Sequence, residues 1–323
     1  MRNPSHSSPR LSSWLVAAIL AMVAIPAALT LHTIHLSALN PAISTTPGAS
    51  PYGYTISLLL FIIPILIIAL WFFPQENIKI SHMSFAWTIG LLFPIGAGLD
   101  FFFARYFFTF PNTSATLGIK APSLGFPVPI EEYVFYLTGF LCVLLLYIWL
   151  DEYWLAAYNV DTESAQRKQF HRLFQLHPES IILAIVLVVG AIIYKKHFSP
   201  YPDGFPGYFI FLALAALVPS SALFPSARPV INWRAFSLTS LFVLLVSLLW
   251  EATLAIPYGW WNFRDEQMLG IRITAWGDLP IEEVCLWIVV TYATVIIYET
   301  VKCWKASGKS MRCALFGEPT LHS

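Results

Sequence analysis

Two short motifs contain the residues best suited to chemistry. The sequence Pro-Ile-Glu-Glu occurs at 129–132 and again at 280–283, and each copy runs directly into a long apolar stretch. One further acid lies 31 residues before the first Glu of each copy. The candidate catalytic residues are therefore six carboxylates: Asp100, Glu131, Glu132, Glu251, Glu282 and Glu283.

Paired acids beside hydrocarbon are suited to proton transfer. An acid at the centre of a membrane helix costs about +2.5 to +3.5 kcal/mol on insertion scales, and less near a helix end. Two adjacent carboxyl groups in a poorly hydrated site do not both ionise readily, so we expect one protonated acid beside an ionised one. Such a pair can donate a proton and later remove one. The simpler alternative is a helix start at the membrane surface, where Pro is favoured at the first helical position and acids complement the helix dipole.

Aromatic residues near these acids supply the second element of the site. They make up 16% of the chain, and aromatic faces, Trp above all, stabilise cations. Trp250 is next to Glu251, and Trp287 lies one helical turn beyond Glu283. We therefore expect these two side chains to stabilise a carbocation, whereas most other aromatic residues fit a belt at the membrane interface.

Several other kinds of site are not indicated. The eight histidines and four cysteines show no metal-ligand spacing, so neither a metal nor another cofactor is predicted. There is no DDxxD-type acidic cluster for magnesium and a diphosphate, and no phosphate-binding loop. The formal net charge is zero, which leaves no basic surface suited to nucleic acid.

The composition predicts an all-α integral membrane protein. Apolar residues make up 57% of the chain and charged residues only 11%, against roughly 25% charged in soluble domains. A span needs about 20 mostly apolar residues, and about eight segments approach this: 14–36, 55–73, 84–103, 129–150, 180–194, 207–224, 233–256 and 279–301. The fifth and sixth are the shortest. The first, preceded by Arg2 and Arg10, could also be a signal peptide, but the internal repeat favours a retained helix.

The two motifs belong to an internal repeat with an offset of 151 residues. Several further matches follow in the same order, some with small gaps: Asp100 with Glu251, Tyr147 with Tyr298, the Leu-Gly-Ile-basic step at 117–120 with that at 269–272, and Gly-Tyr at 53–54 with 207–208. So many matches in one order indicate a duplicated unit rather than a chance tetrapeptide.

This repeat predicts two tandem four-helix units, 1–150 and 180–303, with a hydrophilic linker at 151–179 and a tail at 304–323. An even number of spans gives both units the same orientation, related by an axis along the membrane normal, and sites in such proteins often lie between the repeats. Lys and Arg are more frequent in the loops on the side of the termini, so both termini are predicted to be cytoplasmic in a cell-membrane protein.

These motifs resemble those of a known family. A duplicated membrane unit with Pro-x-Glu-Glu, each copy preceded by an acid on the helix before it, is similar to the membrane-bound lycopene cyclases. That family includes heterodimeric bacterial enzymes, fused archaeal enzymes and the cyclase domain of fungal bifunctional proteins. The resemblance is strongest over 84–150 and 233–301.

The resemblance implies a redox-neutral cyclisation of the ends of a linear carotenoid, an isomerase or intramolecular lyase reaction in carotenoid biosynthesis. The six acids would supply and recover the proton. A pair of Phe residues often follows the acids in the family. Phe135 and Tyr136 hold these positions in the first copy, which adds them to the cation-stabilising candidates, and Leu286 and Trp287 hold them in the second.

The expected partners are an apolar polyprenyl or carotenoid substrate from the bilayer and membrane lipid, with the oligomeric state left open. Glu131 and Glu282 are favoured as the leading members of their pairs, although adjacent residues point about 100° apart on a helix. The same residues would suit a terpene cyclase or hydratase acting on another prenyl chain.

Two other classes of protein are alternatives. A proton-coupled transporter also places acids between repeats, but it predicts breaks within spans of both halves, and clear mid-span prolines are expected only in the first, at Pro64 and Pro94. A structural membrane protein predicts that the two Glu pairs do not converge.

Overall fold

A computed structural model describes residues 50–72, 74, 81–159 and 172–317. Within these residues seven helices are long and apolar enough to cross a membrane. The first predicted span, 14–36, lies outside the described residues, as does the middle of the predicted linker at 160–171. The described part of the chain is an all-α membrane protein whose strands are only two residues long.

The membrane helices account for each of the other seven predicted spans. They are α1 (Gly53–Phe72), α2 (His82–Phe107), α3 (Ile130–Trp149), α4 (Pro178–His197), α5 (Gly207–Ala227), α6 (Trp233–Trp250) and α7 (Ile281–Ala306), and a short helix α8 (Met311–Phe316) follows. Helix α4 is longer than predicted because its last turn contains Lys195, Lys196 and His197, and basic side chains complement the negative end of a helix dipole.

Helices α3 and α6 each end in a five-residue π-helical turn. These turns are Leu150–Trp154 after α3 and Glu251–Ala255 after α6. A π-helical turn widens the backbone locally and often occurs at functional positions. The second one begins at Glu251, one of the candidate catalytic acids.

Short strands join the loops on the side of the two Glu pairs. They are β1 (Phe108–Thr109), β2 (Lys120–Ala121), β3 (Val128–Pro129), β4 (Asn262–Phe263), β5 (Arg272–Ile273) and β6 (Leu279–Pro280), paired antiparallel as β1–β4, β2–β3 and β5–β6. The pairs β2–β3 and β5–β6 lie at equivalent places in the two units. The pair β1–β4 joins the corresponding loops of the two units to each other.

Each Pro-Ile-Glu-Glu motif marks the change from strand to helix. Pro129 and Pro280 end β3 and β6 with extended ψ angles of 142° and 143°. The helices begin one residue later, so the prediction that these prolines occupy the first helical position is wrong. A proline has no N–H to donate, which costs nothing at the end of a strand or just before a helix. Glu131, Glu132, Glu282 and Glu283 still lie in the first turns of α3 and α7.

Helices α3 and α7 form the centre of the bundle. Helix α3 packs against α1 and α2 of its own unit and against α6 of the other, while α7 packs against α5, α6 and α2, and the two central helices contact each other. This pattern is unchanged when α1–α3 are exchanged with α5–α7. The internal repeat is therefore a repeat in space as well as in sequence.

Prolines inside the membrane helices do not favour an enzyme over a transporter. Mid-span prolines were expected only in the first half, but Pro219 and Pro225 lie inside α5, just as Pro94 lies inside α2. The distribution of helix breaks therefore does not distinguish a transporter from an enzyme.

At the end of α3 and α7 opposite the Glu pairs, a buried ionic cluster joins the two units. The Nζ atom of Lys302 lies 3.3 Å from Glu299, 3.6 Å from Asp151 and 3.7 Å from Glu152. The Tyr147 hydroxyl donates to Glu299 over 2.9 Å. Asp151 and Lys302 are equivalent under the 151-residue offset, so the cluster lies where the two units meet.

We expect Lys302→Met to destabilise the protein strongly. Removing one partner of a buried ionic group costs about 3–5 kcal/mol, because the remaining charges are left uncompensated. Thermal unfolding of the purified protein in detergent, followed by near-ultraviolet circular dichroism, measures the change. Lys305→Met on the same helix is the control, because Lys305 lies over the rings of Trp87 and Trp304, contacts worth about 0.5–1 kcal/mol. Equal losses for the two variants would contradict this role for the cluster.

Candidate active site

The second unit holds a centre built from two acids, an indole and a phenol. Glu251 begins the π-helical turn after α6 and Glu283 lies in the first turn of α7; both are buried. The two carboxyl groups lie within hydrogen-bonding reach of each other, and Glu251 Oε2 and Glu283 Oε1 have no other partner among the described residues. The Trp287 Nε1–H donates to Glu251 Oε1 over 2.7 Å, and the Tyr208 hydroxyl donates to Glu283. All four side chains therefore belong to one group of polar contacts.

The close approach of the two carboxyl groups restricts their protonation. An ionised carboxylate only accepts hydrogen bonds, so a hydrogen bond between them requires one member to carry a proton. Because the Trp287 N–H already donates to Glu251, the simplest arrangement has Glu251 as the carboxylate and Glu283 as the acid. This is the combination of one protonated and one ionised group that proton donation followed by proton removal requires.

The first unit holds an equivalent centre. Asp100 of α2 is 2% exposed, and Glu132 of α3 lies close enough to it for a strong electrostatic interaction. The Tyr54 hydroxyl donates to Glu132 Oε1 over 2.8 Å. Neither oxygen of Asp100 has a hydrogen-bond partner among the described residues. The first centre therefore has the same acid–acid–phenol composition but lacks the indole donor.

The first glutamate of each motif has a different neighbourhood. Glu131 Oε1 accepts hydrogen bonds from the Leu117 amide over 2.7 Å and from the Thr55 hydroxyl over 2.6 Å. Glu282 Oε1 accepts a bond from the Leu269 amide over 2.5 Å. Leu117 and Leu269 begin the two Leu-Gly-Ile-basic steps, so these glutamates hold equivalent loops against the starts of α3 and α7.

The loop of the second unit has an additional support. Lys195 of α4 is fully buried, and its Nζ donates to the carbonyl of Asp265 over 2.9 Å and to that of Met268 over 2.5 Å. This ammonium group therefore holds the chain immediately before Leu269. Lys195 was not among the predicted site residues, since a Lys in the last turn of a helix usually faces the membrane surface.

Aromatic rings surround the acid centre of the second unit. The ring of Phe135 stacks on Trp250, with 5.4 Å between centroids, and meets Trp287 edge-on at 5.5 Å. Phe61 of α1 meets Trp250 edge-on at 5.4 Å. Three of the four predicted cation-stabilising residues, Phe135, Trp250 and Trp287, therefore lie together.

The fourth predicted residue, Tyr136, lies between the two acid centres. It interacts electrostatically with Asp100 and Glu132 of the first unit and with Glu283 of the second. A Cβ atom at Gly96 would lie 3.1 Å from the Tyr136 ring, so this ring packs closely on α2. The two Glu pairs therefore converge on a common region, whereas a purely structural membrane protein predicts that they do not converge.

An apolar cleft opens beside the second centre. The space between its walls, counted together with the open mouth, is about 850 Å³. Its lining comes from α1, α3 and α6, with one residue of α7: Phe61, Ile65, Ile68, Phe135, Thr138, Gly139, Cys142, Leu145, Leu146, Trp149, Phe242, Val243, Val246, Ser247, Trp250 and Trp287. Glu251 lies one hydrogen bond behind this lining, through Trp287. We refer to this space as the apolar cleft.

Three further residues of the site were not predicted from the sequence. Tyr54 and Tyr208 were recognised as repeat equivalents but received no function, although each donates to the second Glu of its motif. Phe61 showed no signal beyond its place in an apolar span. Among the described residues, no three His, Cys, Asp or Glu side chains are grouped to hold a metal ion.

Comparison with known proteins agrees with this arrangement. The family model described as "Lycopene cyclase" matches residues 51–150 and 205–301. The two matched regions together cover more than half of the chain, and each contains one acid centre. No curated protein and no solved structure matches the chain. The duplicated helical unit, the paired acid centres and the family match lead to one conclusion: the chain belongs to the lycopene cyclase family.

Proposed function

We propose that this protein catalyses the proton-initiated, redox-neutral cyclisation of a linear carotenoid or a related polyprenyl chain drawn from the bilayer. The observation that carries the proposal is the closely spaced acid pair Glu251–Glu283, which the Trp287 N–H links to the wall of an apolar cleft. Family membership supports an enzyme of this type.

The reaction begins with proton donation. We assign Glu283 as the acid, which adds its proton to one carbon of a terminal double bond and leaves a tertiary carbocation on the other. A neighbouring double bond of the chain attacks this cation, which forms the ring bond and moves the positive charge into the ring. No electrons are gained or lost overall.

The cation then loses a proton from an adjacent carbon, which restores a double bond within the ring. Glu251 is the proposed base, because it is held as a carboxylate by the Trp287 N–H. The proton returns from Glu251 to Glu283 through the hydrogen bond between them, so the product has the same formula as the substrate. Throughout, the rings of Trp250, Phe135 and Phe61 stabilise the cation.

Loss of a proton is favoured over capture of water as the final step. Of the sixteen residues that line the apolar cleft, only Thr138 and Ser247 carry a side-chain hydroxyl. An ordered water requires two to four polar partners, and this lining offers few. The hydratase alternative therefore has less support from the site than the cyclase.

The first centre is proposed to assist rather than to donate the proton. None of the four acids of the two centres lines the cleft, but among the described residues only Glu251 accepts a hydrogen bond from a lining residue, Trp287. Tyr54, which donates to Glu132, packs its ring 6.2 Å from that of Trp250. The acidic charge of this centre would stabilise a cation in the cleft from its other side. Glu131 and Glu282, which the sequence favoured as leading acids, are proposed to hold loops instead.

Glu283→Gln is expected to abolish cyclisation, whereas Glu282→Gln should retain most of it. A glutamine cannot donate the proton, and general acid catalysis typically contributes 10²–10⁴-fold, so the first variant should lose about a hundredfold or more. In Glu282→Gln, the side-chain carbonyl oxygen of the glutamine can still accept the hydrogen bond from the Leu269 backbone N–H. The measurement is expression in a lycopene-accumulating bacterial host, with extracted cyclic carotenoid normalised to the amount of protein. The reverse order of activities would refute the assignment of Glu283.

Trp287→Phe is expected to slow the reaction by about 10–100-fold while leaving an aromatic ring in place. A hydrogen bond to a charged group contributes about 1.5–3 kcal/mol, and about 1.4 kcal/mol corresponds to a factor of ten. The rate at which the purified protein cyclises lycopene measures the effect. Trp304→Phe, at the opposite end of α7, is the control. A rate for Trp287→Phe equal to that of the control would show that the indole N–H has no part in the reaction.

A further inference from the structure

The apolar cleft follows one helix along most of its length. Its α3 residues are Phe135, Thr138, Gly139, Cys142, Leu145, Leu146 and Trp149, which repeat at spacings of three and four and so form one stripe. Fourteen residues separate the first from the last, which corresponds to about 21 Å along the helix axis. The hydrocarbon core of a bilayer is about 30 Å thick. The cleft therefore extends over about two-thirds of the membrane.

The other two helices contribute parallel stripes. Helix α6 supplies Phe242, Val243, Val246, Ser247 and Trp250, and α1 supplies Phe61, Ile65 and Ile68. Because both sets also recur at helical spacing, the three helices line a cleft that is elongated along their axes. Its lining is apolar at nearly every position, so it fits a long hydrocarbon chain rather than a compact polar molecule.

The two ends of the cleft are chemically different. At one end Phe135, Trp250 and Trp287 lie beside the acid centre. At the other end Trp149 lies two residues before Asp151, which belongs to the ionic cluster around Lys302. The closely spaced acid pair therefore lies at one end, whereas the carboxyl groups at the other end are paired with Lys302.

We infer that one linear polyisoprenoid chain lies lengthwise in the apolar cleft, along the membrane normal, with its terminal isoprene unit between Phe135, Trp250 and Trp287. This inference rests on the proposed function, since it names the position of that reaction's substrate. The remainder of the chain extends past Cys142 and Leu145 towards Trp149. Val246 and Gly139 are the specificity-determining positions, because a larger side chain at either would block the apolar cleft between its two ends.

A consequence concerns the order of products. A chain held lengthwise presents one terminus to the acids in each binding event. A product with two rings then requires release and rebinding in the opposite direction, so the one-ring product leaves the protein before the second ring forms.

The test measures lycopene binding to the purified full chain in detergent. Binding is monitored through the circular dichroism that a chiral site induces in the visible absorption bands of the polyene. The occluding variants are Val246→Phe from α6 and Gly139→Leu from α3. A Cβ at Gly139 would lie 3.7 Å from Trp287, an ordinary contact, so the backbone there accepts a side chain. The matched control is Leu245→Phe, since Leu245 is next to Val246 but is 41% exposed and outside the cleft.

We expect each occluding variant to weaken lycopene binding at least tenfold, and Leu245→Phe to bind like the unmodified protein. Unchanged binding in both folded occluding variants would overturn the inference. Glu283→Gln separates it from the proposed function, because this variant should bind lycopene without converting it. Conversion by Glu283→Gln, together with lost binding in the occluding variants, would refute the catalytic assignment and leave the chain position supported.

Discussion

The cost of placing carboxyl groups next to hydrocarbon governs this structure. Each acid within a membrane helix costs about 2.5–3.5 kcal/mol at the bilayer centre, and six candidate acids are buried near the starts of α3 and α7 and the ends of α2 and α6. The hydrogen bonds that offset this cost come from separate elements. Glu132 and Glu283 accept hydrogen bonds from tyrosine hydroxyls of α1 and α5. Glu131 and Glu282 accept hydrogen bonds from backbone amides of the loops. The helices, the loops and the strands are therefore held in place partly by the acids they surround.

Duplication explains why the two centres share a framework, and divergence explains why they differ. Trp250 precedes Glu251, whereas Leu99 precedes Asp100. Trp287 donates to Glu251, whereas its repeat equivalent Tyr136 lies between the two centres. Indole rings pack against Tyr54 of the first centre as well, but among the described residues only the second centre has an acid hydrogen-bonded to an indole that lines the cleft. This difference is the physical basis for proposing that one centre performs proton transfer while the other supports it electrostatically.

The repeat made much of the fold predictable. The 151-residue offset placed the Glu pairs in equivalent first turns and predicted that they would converge, and apolar segments located seven helices. The repeat does not reveal which Glu of each pair faces the acid of the preceding helix, because that depends on loop amides such as those of Leu117 and Leu269. The ionic cluster around Lys302 was equally hidden, since it forms only when the ends of α3 and α7 meet. The side of the membrane that holds the termini stays a prediction.

The central claim is that the protein adds a proton to an apolar chain and removes one again. The most direct measurement is a single turnover of lycopene by protein equilibrated in D₂O, with the product examined by mass spectrometry and NMR. The account predicts one deuterium in each ring formed, at the carbon that receives the proton from Glu283, and no added oxygen. A cyclic product without deuterium, or one that carries oxygen from water, would contradict it.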